Sequence, residues 1–111
     1  MILAVPIKQN SIEAQIADKF SRCPYFALID KQKGNLSIIN NTFNEQKSGA
    51  GPSVAKYLVN TQDVTAFMAF ELGLKVQQWT YKNKIQLILI DDKKITLKDI
   101  LKLMKINTKT L

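Results

Sequence analysis

The chain contains no histidine, a single arginine (Arg22) and a single cysteine (Cys23) among its 111 residues. Without histidine, neither a Ser-His-Asp nor a Cys-His catalytic arrangement can form, and a structural zinc site would lack its usual ligands. One cysteine excludes an internal disulfide, which is typical of a protein from the reducing cytoplasm. We therefore expect a cytoplasmic protein that is not an enzyme of these classes.

Long apolar runs are also missing. No stretch approaches the roughly 18 residues that a membrane-spanning helix requires, so no membrane association is expected. The apolar start of the chain, residues 1–7, has no basic residue before it and no small-residue cleavage site, so a signal peptide is not expected either. Hydrophobic residues make up 46% of the chain, which predicts one globular domain spanning residues 1–111.

The formal charge of +7 is concentrated in the second half of the chain. Residues 75–111 contain nine lysines and three acidic residues, a net charge of +6, whereas seven basic and six acidic residues in 1–74 leave +1. Such a basic segment can bind nucleic acid, an acidic protein or an anionic ligand, or it can simply be solvated. Lysine without arginine is poorly suited to reading bases, which disfavours nucleic acid. Trp79 and Tyr81 are better explained by packing between helix and sheet, or by a homodimer contact, than by stacking on bases.

Hydrophobic periodicity and turn residues predict an α/β fold with the element order β-β-β-α-β-α-β-α. The predicted strands are Ile2–Ile7, Tyr25–Asp30, 36–40, 64–70 and 85–90, and the predicted helices are 52–60, 74–83 and a last helix capped by Thr96 and Asp99. Residues 11–20 are expected to form a short helical or turn-like segment with Ile12, Ile16 and Phe20 on one apolar side. Because a helix joins the fourth and fifth strands, these strands should be parallel.

Two short segments favour an anion-binding site. Phe20-Ser21-Arg22-Cys23-Pro24-Tyr25-Phe26 places a guanidinium and a thiol just before the second strand, and Ser48-Gly49-Ala50-Gly51-Pro52 opens the first helix. A flexible backbone at a helix start presents unpaired N–H groups and the positive end of the helix dipole. If the first strand lies between the second and the fourth, the loops 8–22, 48–53 and 70–75 gather at one edge of the sheet.

These segments also carry a resemblance to a known family. Residues 20–26 resemble the Phe-Gly-Arg-Ala-Pro-Tyr-Phe of the dinitrogenase iron–molybdenum cofactor biosynthesis proteins (NifX and NafY type, and the C-terminal domain of NifB), and residues 48–51 are similar to the Gly-Gly-Ala-Gly of that family. The resemblance implies a ribonuclease-H-like fold with a five-stranded mixed sheet flanked by three helices. It also implies binding or carriage of an anionic iron–sulfur or iron–molybdenum-type cluster, or its precursor, without catalytic turnover. The partners would be the cluster and an apo-metalloprotein recipient.

The candidate cluster-binding residues lie in the two segments and in the turn before the second helix: Arg22, Cys23, Ser48, Gly49, Gly51 and Gly73. By position in the family, Arg22 would supply positive charge, and Gly49 and Gly51 would bring backbone N–H groups close to the ligand. Cys23 is the candidate metal ligand, because a thiolate suits soft metals.

Each of these interpretations has a structural alternative. Cys23 can be a small packed side chain, and Arg22 can pair with Asp18 to fix its loop. Gly49 and Gly51 can serve only the backbone angles needed to enter the helix. As a second functional hypothesis, the chain is a protein-interaction module of the same fold that has lost cofactor binding and docks on an acidic partner. A nuclease is disfavoured, because the first strand has no aspartate for the metal ions that such enzymes use.

Overall fold

The computed structural model describes residues 1–108, in which five strands and three helices follow the predicted order. The strands are β1 (Ile2–Ile7), β2 (Tyr25–Asp30), β3 (Asn35–Asn40), β4 (Ala66–Ala69) and β5 (Gln86–Leu89). The helices are α1 (Ala50–Gln62), α2 (Leu74–Lys82) and α3 (Leu97–Leu103). Within residues 1–108, no helix combines the length and the apolar character needed to cross a membrane.

The five strands form one mixed sheet with the order β3-β2-β1-β4-β5. The central strand β1 pairs antiparallel with β2 and parallel with β4, and β5 extends the parallel half. The other edge is β3, antiparallel to β2. The predicted fold class, α/β with a ribonuclease-H-like five-stranded mixed sheet and three helices, is therefore confirmed. The position of β1 between β2 and β4 is the arrangement on which the predicted site depended.

Both faces of the sheet are covered, which explains why the central strands are almost continuously apolar. Alternate residues of β1 enter two separate clusters: Ala4 faces the layer of α1 and α2, and Val5 faces α3. The first layer contains three phenylalanines, with the ring centroid of Phe20 at 5.0 Å from that of Phe26 and 4.9 Å from that of Phe67. Because Phe20 packs against both of the other rings, it fixes the loop that leads into β2.

Residues 11–20 consist of turns and isolated bridges, so the turn-like interpretation of this segment is confirmed and the helical one is wrong. Ile7 is bridged to Ile16, and Gln15 is bridged to Thr96 just before α3. Ile16 is buried in the α3 layer, whereas Phe20 is buried in the layer of α1 and α2. The prediction of one apolar side is therefore also wrong, because the segment passes around the end of the sheet from one layer to the other.

The element boundaries differ from the predicted ones at several ends. α1 begins at Ala50, two residues before Pro52. Proline is tolerated there because the first residues of a helix need no N–H group for the helical ladder. β4 and β5 have four residues each, fewer than the predicted runs 64–70 and 85–90. At β4 the reason is that burial continues beyond the hydrogen-bonded ladder, since Val64 is buried outside the strand.

Candidate functional site

Three segments that are distant in the sequence meet at one end of the sheet, namely the edge formed by the carboxyl ends of β1 and β4 rather than by an outer strand. The loop before β2 reaches this edge because β2 is antiparallel to β1, with Ile7 opposite Tyr25. α1 begins at the same edge because β3 runs back along β2, with Asn40 opposite Tyr25. α2 begins there because it follows β4, which is parallel to β1.

A cleft of about 440 Å³ lies between these segments. It is lined by Ser21 and Arg22 from the loop before β2, by residues 49–52 at the start of α1 and by residues 73–76 at the start of α2. The volume falls within the roughly 300–1,000 Å³ that is usual for small-ligand sites. Arg22 and Lys75 are its charged residues, and no acidic residue of the described chain lines it. The cleft is therefore electropositive.

The two helices that open onto the cleft have glycine at their N-caps. Gly49 caps α1 with a left-handed φ of 71°, and Gly73 caps α2 with a φ of −61°. No described side chain caps either helix, and neither has an acidic residue in its first turn. Pro52 in the first turn of α1 has no N–H group. The remaining first-turn N–H groups of both helices, and the positive ends of both dipoles, are therefore left for an anion.

The third helix shows that the same chain caps a helix fully where no cleft lies. Thr96 and Asp99 form a reciprocal capping box at the start of α3. Hydrogen bonds from the Thr96 backbone and side chain lower the pKa of the Asp99 carboxyl, so it is ionised at the positive end of the dipole. In α2 the first turn carries Lys75 instead, a charge that the dipole opposes.

Gly51 is required by the contact between the two helices rather than by its backbone angles. A Cβ atom at this position would lie 2.5 Å from Cγ2 of Val76, well inside a van der Waals contact. Val76 is buried in the core layer of α1 and α2. The absence of a side chain at Gly51 thus lets the starts of α1 and α2 approach each other across the cleft.

Arg22 fixes the loop between β3 and α1. Its Nη1 donates to the backbone carbonyl of Asn44 at 2.9 Å and to that of Gln46. Asp18 instead pairs with Lys93, with Nζ and Oδ1 at 3.4 Å, so the predicted Arg22–Asp18 pair is wrong. Within residues 1–108 the hydrogen bonds of the Arg22 side chain are those of Nη1, and Arg22 also lines the cleft.

Asn41, in the loop after β3, donates hydrogen bonds to the loop before β2, from which Arg22 donates to the loop after β3. Its Nδ2 donates to the carbonyl oxygens of Ser21 at 3.0 Å and Cys23 at 2.9 Å, the two residues that flank Arg22. Its Oδ1 accepts from the Phe43 N–H at 3.0 Å. Asn41 is buried, and its side chain is fully satisfied. The pair of loops is therefore held by reciprocal side-chain-to-backbone bonds, from Asn41 one way and from Arg22 the other.

Cys23 is packed in the core layer of α1 and α2 with 2% of its surface exposed. Burial raises the pKa of its thiol to about 12, with hydrogen bonding from Asn41 acting weakly in the opposite direction. The thiol is thus protonated at neutral pH, whereas metal ligation requires the thiolate. Within the described residues, no group of three or more Cys, Asp or Glu side chains could hold a metal ion.

The structure brings together four of the six predicted site residues. Arg22, Gly49, Gly51 and Gly73 line the cleft, whereas Cys23 and Ser48 lie outside its lining. The Ser48 carbonyl instead accepts a hydrogen bond from Gln46 Nε2 at 2.6 Å. Of the predicted rim, residues 8–20 are absent from the lining of the cleft. Their apolar side chains are buried in the core instead, Ile16 in the layer of α3 and Phe20 in the layer of α1 and α2.

Two residues at this edge, Lys75 and Asn41, were not among the six predicted site residues, although Lys75 lies in the predicted loop 70–75. Lys75 lines the cleft, but in the sequence it is one of fifteen lysines. Its signal was the combination of a basic residue and a glycine cap at a predicted helix start, where acidic residues are usual. Asn41 follows a strand and precedes a polar loop, and nothing in that pattern separates a buried asparagine from a solvated one.

Solved structures of distant relatives share this fold. The apo form of the orange protein from Desulfovibrio gigas is 18% identical, with a TM-score of 0.81 over 91% of this chain and 83% of that chain. A protein from Thermotoga with a proposed NifB assignment is 21% identical, with a TM-score of 0.75 over 94% of this chain and 86% of that chain. At such identities the likeness concerns the fold alone. No curated protein matches the chain.

A family model described as dinitrogenase iron–molybdenum cofactor matches residues 1–105. The match includes all five strands, all three helices and every residue that lines the cleft. The chain therefore belongs to the dinitrogenase iron–molybdenum cofactor family, which is associated with the binding and handling of metal clusters related to that cofactor.

Proposed function

We propose that this protein holds an anionic metal–sulfur cluster, or a precursor of one, in the cleft and delivers it to an apo-metalloprotein. One observation carries the proposal: two uncapped helix starts face one cleft that also has Arg22 and Lys75 at its border and no acidic lining within the described chain. Clusters of metal and sulfide are anionic, and their sulfur atoms accept hydrogen bonds. Helix N–H groups and a guanidinium supply the matching donors.

The unfavourable position of Lys75 supports a binding role. A positive charge in the first turn of a helix opposes the dipole, by about 0.3–1 kcal/mol in typical cases. A bound anion would compensate for this unfavourable interaction energy, because it would interact favourably with the lysine and with the dipole at once. The site is thus better arranged for the loaded protein than for the empty one.

Metal ligation by Cys23 stays a prediction, and it requires two changes. The thiol would have to leave the core, where 2% of the residue is exposed, and it would have to lose its proton against a pKa of about 12. Capture through N–H groups and cations requires neither. A comparison of the wild type with Cys23→Ala separates the two modes, since only ligation depends on sulfur.

Anaerobic titration with tetrathiomolybdate, a soluble anion of molybdenum and sulfide, tests the proposal. The wild type should retain molybdenum through gel filtration. Lys75→Glu should weaken the affinity by about tenfold or more, the effect of losing roughly 1.4 kcal/mol of interaction. The same substitution should raise the free energy of unfolding of the empty protein by about 0.3–1 kcal/mol, because glutamate suits a helix start.

Lys56→Glu is the matched control, since Lys56 is an exposed lysine of α1 outside the cleft lining. It makes the same change of net charge and should leave the affinity within about twofold, as expected for a screened distant charge. If the wild type retains no molybdenum, or if the two lysine variants bind equally well, the proposal is wrong.

A further inference from the structure

The outer edge of β5 is an open side of the sheet. Within residues 1–108, β5 pairs only with β4. The N–H groups of Gln86 and Ile90 donate to Thr65 and Ala69 on the β4 side, at 3.2 and 3.0 Å. Because N–H groups alternate in direction along a strand, those of Leu87 and Leu89 point away from β4. The edge therefore offers backbone donors and acceptors for a further strand.

Apolar side chains accompany these backbone groups. Leu89 is 63% exposed and Tyr81 is 90% exposed. A groove of about 290 Å³ runs between α2 and β5, and Thr80, Ile85 and Leu87 lie along it. A protected edge strand usually carries inward-pointing charge, proline or a covering segment, whereas Gln86–Leu89 has one amide and three aliphatic side chains.

Basic residues stand at the start of this edge, where the exposed Lys82 and Lys84 precede β5. At its other end the exposed Asp91 and Asp92 offset the charge of the lysines that follow them. Lys84 has a left-handed φ of 59°, a conformation that glycine adopts at much lower energy. The whole chain carries +7, so two copies repel each other, and an acidic partner is favoured over a second copy.

We propose that the β5 edge binds an extended acidic segment of a partner protein as a sixth strand of the sheet. The backbone groups of Leu87 and Leu89 bond to the segment, and its apolar side chains enter the groove beside Tyr81. Its carboxylates meet Lys82 and Lys84, before the start of β5. This docking surface is independent of the cleft, so its failure would leave the proposed cargo site intact.

The probe is an N-acetylated, C-amidated nonapeptide in which glutamate and valine alternate. Saturating peptide should slow hydrogen exchange of the Leu87 and Leu89 amides by about tenfold or more, because both become hydrogen-bonded. Raising the salt from about 50 to about 300 mM should weaken the affinity severalfold. The charge-reversed peptide, with lysine in place of glutamate, should give no protection.

Leu89→Pro and Leu89→Thr separate strand pairing from charge attraction. Proline removes the outward N–H of residue 89 without removing a bond to β4, and it should abolish the protection of Leu87. Threonine keeps that N–H and should retain binding. Equal peptide affinity of the two variants would overturn the proposal. So would concentration-dependent protection of the same amides without peptide, because the occupant would then be a second copy.

Discussion

Several lysines of this protein occupy positions at which the local backbone disfavours them. Lys75 lies in the first turn of α2, and Lys84 and Lys105 have left-handed φ values of 59° and 60° just after α2 and α3. The bonds Ile85 N–H to Thr80 and Ile106 N–H to Leu101 are those of helix endings that usually contain glycine. Local stability alone would place other residues at these three sites.

Asn41 is the residue whose loss should most disturb the loop that carries Arg22. Replacement by alanine would leave the carbonyl groups of Ser21 and Cys23 without their donor, and an unsatisfied buried polar group costs about 1–3 kcal/mol. We therefore expect Asn41→Ala to lower the free energy of unfolding by this amount in urea denaturation. Asn40→Ala, at the exposed neighbouring position, should change it by less than about 0.5 kcal/mol. Equal effects would show that the Asn41 bonds contribute little.

Cys23 should make the protein sensitive to alkaline pH. Its thiol ionises near the ordinary pKa of 9.0 when the chain is unfolded and only near about 12 when folded. Between these values unfolding releases a proton, so the free energy of unfolding falls as pH rises, by at most about 1.4 kcal/mol per unit. Below pH 9 this contribution to stability is fully present.

Urea denaturation at a series of pH values from about 8 to about 11 measures this slope, because the range begins below the pKa of the unfolded state and extends toward that of the folded state. Cys23→Ala lacks the thiol and should lose less stability per pH unit than the wild type. The two proteins share every other residue, so the difference between their slopes isolates the contribution of the thiol. Parallel slopes would contradict the burial of the thiol.

At the scale of elements, the helix starts explain both the success and the error of the sequence-based prediction. The pair of glycines before Pro52 correctly indicated a helix start in this region, and the structure places that start at the cleft. The start of α1 was placed two residues late because Gly51 was read as part of the loop. Its real constraint, the approach of Val76 from α2, depends on a neighbour 25 positions away in the chain, which local patterns do not reveal.

The glycines at the two helix starts should respond differently to a methyl group. Gly51→Ala places a Cβ atom 2.5 Å from Val76 Cγ2, and such overpacking costs about 1–3 kcal/mol of the free energy of unfolding. Gly73→Ala meets no described atom within 4 Å and should stay within about 0.5 kcal/mol of the wild type. Thermal and urea denaturation of both variants measure the difference.

A double variant tests whether the clash is the cause. Val76→Ala should destabilise the wild type through a cavity, but it should destabilise Gly51→Ala less, with a coupling energy of about 0.5–3 kcal/mol. Additive effects of the two substitutions would mean that Gly51 acts through its backbone instead.

At the scale of the whole molecule, the order of elements followed from hydrophobic period and turn residues, whereas the five-stranded mixed sheet was implied by the resemblance to the family. The convergence of Arg22, Gly49, Gly51 and Gly73 followed from topology, because antiparallel and parallel neighbours of β1 bring their connecting segments to one edge. The packing of segment 8–20 was not predicted, because it too depends on the tertiary arrangement of the chain. Its apolar residues at helical spacing are divided between two core layers, and no single-chain period distinguishes that from one amphipathic face.

The contact between Gly51 and Val76 has a consequence for which anions can fit. The first-turn N–H groups of α1 and α2 are separated by a distance that this packing contact sets, between the backbone of Gly51 and the side chain of Val76. The length of a connecting loop does not set it. A larger residue at position 51 would meet Val76 and would therefore change the width of the opening between the helix starts. Selection among anions by diameter would then be governed from a position that contributes no side chain at all.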